Sequence, residues 1–199
     1  MHLNLFSIAG LLLSTTCLIL TFILFAFGKN KTHRVWSLFN ISVAVWGFGA
    51  FLIGQETSVI NAAVYWKIAH IGIIFIPVFL FHVIYLLGKL KQKNLLVFIY
   101  SVATLFLLLN LFAPKGVFIS GLYFAFSSFY YADAGWAYYI FFTFWASLVL
   151  YSQIKLFLIY LQASGPTKNQ ILYLFLGFIF GLSGGITNFL PVFRMNIYP

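Results

Sequence analysis

Residues Ala62–Leu87 read AAVYWKIAHIGIIFIPVFLFHVIYLL. Lys67 is the one fixed charge in this stretch, and apolar residues occupy every face rather than a single stripe. A helix needs about 20 apolar residues to cross a bilayer core of about 30 Å, and this run is long enough. A barrel strand would alternate polar and apolar residues, and this run does not. In lipid the helix satisfies its backbone hydrogen bonds internally, so a transmembrane helix is the expected structure.

The same ruler finds five more runs: Leu3–Phe27, Val35–Ile53, Leu95–Phe112, Trp136–Leu161 and Ile171–Leu190. The expected fold is an all-α polytopic membrane bundle, with six transmembrane helices in one membrane domain over residues 1–199. Composition agrees. Hydrophobic residues make up 63% of the 199 and charged residues 7%, against roughly 45–50% and about 25% in soluble domains. A soluble globule, a disordered tail and a coiled coil are excluded. The length leaves no room for an attached soluble catalytic module. Cys17 is alone in an apolar run, which excludes a disulfide framework or thiolate metal site. The first run is longer than a signal-peptide core and lacks a basic leader.

The connections carry the charge. Lys29, Lys31 and Arg34 precede the second run, Lys89, Lys91 and Lys93 follow the third, and Lys168 precedes the sixth. These are seven of the 11 basic residues, all on alternate loops. The only acids, Glu56 and Asp133, lie on the opposite loops with Lys115 and Arg194. The positive-inside rule places the Lys/Arg loops in the cytoplasm and both termini outside a cell membrane. The net charge of +9 is then mainly a topogenic signal, with membrane lipids as partners. Nucleic acid is not expected, because the basic residues do not gather on one polar face.

The long outer loop Ala113–Gly135 is rich in Phe and Tyr, and alternation around Val117, Ile119 and Tyr123 suggests a short hairpin. It serves either as an aromatic belt at the headgroups or as a lid over an outward-facing cavity.

No catalytic constellation stands out: there is no HExxH, P-loop or GxSxG motif. His70 and His82 are 12 residues apart and point about 120° away from each other, so no metal pair is expected. No cofactor is expected either. The best polar cluster is Trp66, Lys67 and His70, where the i,i+3 spacing puts Lys67 and His70 on one face. Glu56 offers Lys67 an ion-pair partner. Pro77 should kink the helix, act as a hinge and free a carbonyl near Ile73. Gly177, Gly181 and Gly185 form a stripe expected to pack against another helix, with homodimerisation as the alternative. Trp46, beside Gly47 and Gly49, either packs or lines an aromatic cavity with Trp66, Trp136 and Trp145. Asn188 is deep enough to need a partner.

The order of short motifs resembles the N-terminal seven-transmembrane sensor region of bacterial histidine kinases. The matching residues are Phe39-Asn40, Ala44-Val45-Trp46-Gly47-Phe48-Gly49, and Tyr65-Trp66-Lys67-Ile68-Ala69-His70-Ile71-Gly72 with Pro77. They continue with Gly135-Trp136-Ala137-Tyr138-Tyr139, Gly165-Pro166-Thr167-Lys168, Gly184-Gly185-Ile186-Thr187-Asn188 and Ile197-Tyr198-Pro199. That family has a seventh helix and then a kinase. This chain stops before both, as a truncated receptor or as a stand-alone relative. The resemblance implies a sensory module of a two-component system, not an enzyme in these residues. An apolar or amphiphilic signal would bind the outer half of the bundle. Depth and polarity nominate Trp46, Glu56, Trp66, Lys67, His70, Trp136 and Asn188 as contacts. A small transporter and a membrane assembly partner are the alternatives.

Overall fold

The computed structural model describes residues 4–199. One sequence reading, the start of the first span at Leu3, lies outside the described residues. Among the described residues, six helices are long and apolar enough to cross a membrane. They are α1 Leu5–Phe27, α2 Lys31–Gln55, α3 Val59–Leu87, α4 Lys93–Phe112, α5 Trp136–Gln162 and α6 Gly165–Thr187. An antiparallel hairpin, β1 Ile119–Ala125 and β2 Phe129–Ala134, joins α4 to α5. A 3₁₀ turn, Pro191–Phe193, follows α6. The hairpin marks one end of the bundle and the Lys/Arg connections mark the other, called here the hairpin end and the basic end.

The helices extend beyond their apolar runs. α2 starts at Lys31 instead of Val35, because the Asn30 side chain accepts from the His33 N–H at 2.9 Å and caps the first turn. α3 begins at Val59 instead of Ala62, and α4 at Lys93 instead of Leu95. α6 begins at Gly165 instead of Ile171, with Pro166 in its first turn, where a missing N–H costs nothing. It ends at Thr187 instead of Leu190, where the chain tightens into the 3₁₀ turn.

α1, α2 and α3 pack closely because small residues let their backbones approach. A Cβ on Gly47 would lie 2.7 Å from the Gly10 carbonyl oxygen, and one on Gly49 would lie 2.6 Å from the Ala69 Cβ. α3 runs through the centre, burying Trp66, Ile74, Leu80 and Phe81. Pro77 sits inside it and has no N–H for the Ile73 carbonyl. The indole N–H of Trp145 on α5 donates to that carbonyl at 3.0 Å.

α6 departs from this pattern. Ile171, near the basic end, is its one buried residue, packed with Leu80, Ile84 and Leu156. A Cβ on Gly177, Gly181, Gly184 or Gly185 would meet nothing within 4 Å. The expectation that the stripe of Gly177, Gly181 and Gly185 packs inside the bundle is therefore corrected: the stripe faces open space.

The hairpin turns through Phe126 and Ser127, with φ of 52° and 51°, while the Ser128 N–H donates to Ala125 at 3.0 Å. Two consecutive left-handed residues give the turn whose twist matches that of paired strands. Phe129, Tyr131 and Ala132 are buried against the bundle, and Phe129 stacks on Phe6 with ring centroids 4.6 Å apart.

Candidate functional site

The open side of α6 borders a cavity of about 510 Å³. Leu13 and Cys17 of α1, Trp36, Phe39, Val43 and Trp46 of α2, and Trp66, Ile73 and Ile76 of α3 form one wall. Tyr138 and Trp145 of α5 close the back. Tyr173, Gly177, Phe178, Gly181, Gly184 and Gly185 of α6, with Asn188 just past its end, form the facing wall. The glycines make this space: side chains at 177, 181 and 185 would project into it. Aromatic residues give a rigid apolar surface, and few polar atoms face inward. Binding sites for small hydrophobic molecules are commonly built this way.

The structure separates the sequence candidates. Trp46, Trp66 and Asn188 line the cavity. Trp66 is 1% exposed, and its indole N–H donates to the Tyr130 carbonyl of the hairpin at 3.0 Å. His70 lies behind Trp66, fully buried. Its Nδ1 is 2.7 Å from the Trp66 carbonyl, and its Nε2 is 3.0 Å from the Tyr138 hydroxyl. A carbonyl only accepts, so Nδ1 carries the proton and Nε2 accepts from Tyr138. His70 thus positions Tyr138, which lines the cavity, and has no surface there itself.

Lys67 does not share that environment. It is exposed, and its Nζ donates to the Leu111 carbonyl at 3.1 Å. The suggested pairing with Glu56 does not form. Glu56 accepts instead from the backbone N–H groups of Thr57 and Ser58, at 3.0 and 2.8 Å. Spacing of i,i+3 brings Lys67 and His70 near one another around the helix, but the edge of the buried face passes between them. Trp136 stands 63% exposed at the start of α5 and does not line the cavity.

Hairpin residues contribute nothing to the cavity wall, so the hairpin is not its lid. It holds the end of α6 instead. The Tyr131 hydroxyl donates to the Asn188 carbonyl and the Tyr123 hydroxyl to the Pro191 carbonyl, each at 2.6 Å. Arg194 pairs with Asp133 through two hydrogen bonds of 3.0 and 2.6 Å. Its guanidinium also lies 4.0 Å from the centre of the Tyr123 ring. The Arg194 guanidinium holds the Asp133 carboxyl below its ordinary range. Burial pushes the Tyr131 hydroxyl well above its ordinary range, so it stays a donor. Of the aromatic cavity suggested by the sequence, Trp46, Trp66 and Trp145 line the space and Trp136 does not. The sequence reading missed Tyr138 and the two tyrosines that hold the end of α6 as a latch. The only sequence signal for the latch was the opposite charge of Asp133 and Arg194, far apart in the chain.

A family model described as the N-terminal 7TM region of histidine kinase matches residues 11–199. No curated protein and no solved structure matches the chain.

Proposed function

The chain belongs to the family of N-terminal 7TM regions of histidine kinases, and we propose that it acts as the receptor part of a two-component system by taking an apolar or amphiphilic molecule into the α6 cavity. Its place in a membrane, crossed several times, and its role as a sensory module of signalling follow from the family and the six apolar helices. The observation that carries the ligand reading is the cavity of about 510 Å³ between α6 and the tightly packed α1–α3 unit.

A molecule there touches two bodies at once. One wall belongs to close-packed helices, and the other to a helix with one buried residue. A ligand that contacts both walls better in one arrangement than in the other shifts the population of α6 positions. Moving that balance from 1:99 to 99:1 takes about 5.5 kcal/mol of differential affinity, so a partial shift needs only part of that. Charge placement supports an orientation with Lys89, Lys91 and Lys93 in the cytoplasm and the hairpin outside.

The test is co-purification. The chain is extracted from membranes, and the hydrophobic molecules it retains are identified by mass spectrometry. A retained species should disappear with Gly181→Leu, which fills the cavity, and remain with Trp136→Ala, outside it. Identical retention in both variants would remove the cavity from the reading. For orientation, a cysteine at position 91 should resist an impermeant thiol reagent in intact cells; ready labelling would reverse it.

A further inference from the structure

The space beside α6 is a trough open along one side. Its lining on α6 runs from Tyr173 to Asn188. At 1.5 Å per residue that is about 22 Å, most of a bilayer core of about 30 Å. Leu13 and Cys17 of α1 form the opposite rim. No Lys, Arg, Asp or Glu lines the trough, so what covers it is apolar.

The glycines indicate the shape of that cover. A Cβ on Gly10, Gly47 or Gly72 would strike the backbone of a neighbouring helix, so each of these glycines seats a helix. Gly177, Gly181, Gly184 and Gly185 present the same bare backbone, and nothing would meet a Cβ there within 4 Å. Glycine in a helix interior costs stability unless a close approach uses it.

The end of the chain lies at the mouth of the trough. Val192, just past α6, lines it. The following strip crosses to the start of α1: the Tyr198 hydroxyl accepts from the Phe6 N–H at 3.2 Å, and its ring lies 5.1 Å from that of Phe126 in the hairpin turn. Residues 192–198 thus bridge the two rims at the hairpin end. Pro199 comes next, and proline is favoured in the first turn of a helix. The family is described as seven-transmembrane, and six spanning helices lie among the described residues.

We propose that the trough is the seat of the family's seventh transmembrane helix. That helix enters beside Pro199, runs parallel to α1 and antiparallel to α6, and packs its backbone against the α6 glycines. It covers the side open to lipid and leaves Trp46, Trp66, Tyr138 and Trp145 behind it. A molecule in that aromatic space would touch the seventh helix directly. The seat itself does not rest on the ligand reading.

The test is disulfide cross-linking in the full-length receptor, expressed from its own reading frame and oxidised with copper phenanthroline in membranes. Cys17 is kept, any cysteine beyond residue 199 is replaced by serine, and single cysteines are placed along the first apolar run after residue 199. Links to Cys17 should fall on positions three or four apart, about a dozen residues into that run, because Cys17 lies about that far along α1. In a Cys17→Ser background, links to Gly177→Cys should fall about seven residues farther along the run than links to Gly184→Cys, the order of an antiparallel pair. Links spread over every face of the run, or none to either rim, overturn the seat. So does a reading frame with no apolar run after residue 199. Dimers linked through position 177 or 184 overturn it in favour of a second copy. Should the glycine variants fail to fold, the Cys17 series decides alone. Failure of the ligand reading, judged by retained molecules, would leave these cross-links in place.

Discussion

Gly47→Ala would set a methyl group 2.7 Å from the Gly10 carbonyl oxygen and 2.9 Å from the Ser14 amide nitrogen. Both neighbours are backbone, so neither can swing away, and α1 and α2 must separate by several tenths of an ångström along a contact that also includes Gly10 and Ala50. Overpacking of this kind costs about 1–3 kcal/mol. The better helix propensity of Ala returns up to about 1 kcal/mol. A net loss of about 1–2 kcal/mol is expected. Gly181→Ala shares the propensity gain, and its methyl meets nothing within 4 Å, so it should be neutral or stabilise by about 0.5–1 kcal/mol. Unfolding in mixed micelles of rising dodecyl sulfate fraction, followed by far-ultraviolet circular dichroism, measures both. Gly10→Ala acts on the same contact, with its methyl 2.6 Å from the Gly47 carbonyl oxygen. The double variant should lose less than the sum of the two singles, because the first substitution has already parted the helices. Equal behaviour at positions 47 and 181, or a larger loss at 181, would refute the assignment of tight and open glycines.

Other outcomes follow from individual hydrogen bonds. Trp145→Phe leaves the Ile73 carbonyl unpaired beside Pro77 and should cost about 1–3 kcal/mol in the same unfolding assay. In a Pro77→Ala background it should cost less, because the restored N–H at position 77 can bond that carbonyl. Tyr131→Phe removes the donor to Asn188 and should broaden spin-label distances between the hairpin and α6; unchanged distributions would show the latch to be unimportant. The Asp133 carboxyl is held below its ordinary value, so its contribution to the latch is complete above the ordinary carboxylate range. That contribution should fade as pH drops through the lowered value. Protease sensitivity of the 113–135 segment should rise on acidification in the wild type and change little in Asp133→Asn.

Much of the architecture was legible because lipid imposes simple rules. Long apolar runs had to be helices, and the alternating residues near Ile119 and Tyr123 lay in a hairpin. Pro77 also announced the Ile73 carbonyl, since proline lacks the donor that carbonyl needs. What stayed hidden was which face of each helix points where. The residue pattern of Gly177, Gly181 and Gly185 is the same whether another helix fills the space or leaves it empty. Lys67 and His70 show the same limit: spacing fixes the angle between two side chains but not the position of the core boundary. Trp136 is a third case, since an indole at a helix start serves equally at a bilayer surface or in a cavity. Helix ends were misjudged where Asn30 and Pro166 carried the helix past the greasy segment into polar sequence.

α6 is anchored at both extremities and touched more lightly along its middle, where half-buried Phe175 and Phe178 meet Phe157 of α5 and Trp36 and Phe39 of α2, like a string stretched between two bridges. One bridge is Ile171, set among Leu80, Ile84 and Leu156. The other is the pair of tyrosine hydroxyls and the partly exposed Asp133–Arg194 pair. A sideways load at mid-string must be absorbed by whichever support yields first, and packed apolar residues give way less readily than a solvated ionic clasp. The strain would then reach the Met195–Tyr198 strip, whose Tyr198 lies against Phe6 and Phe126, before it reached the lysine-bearing turns.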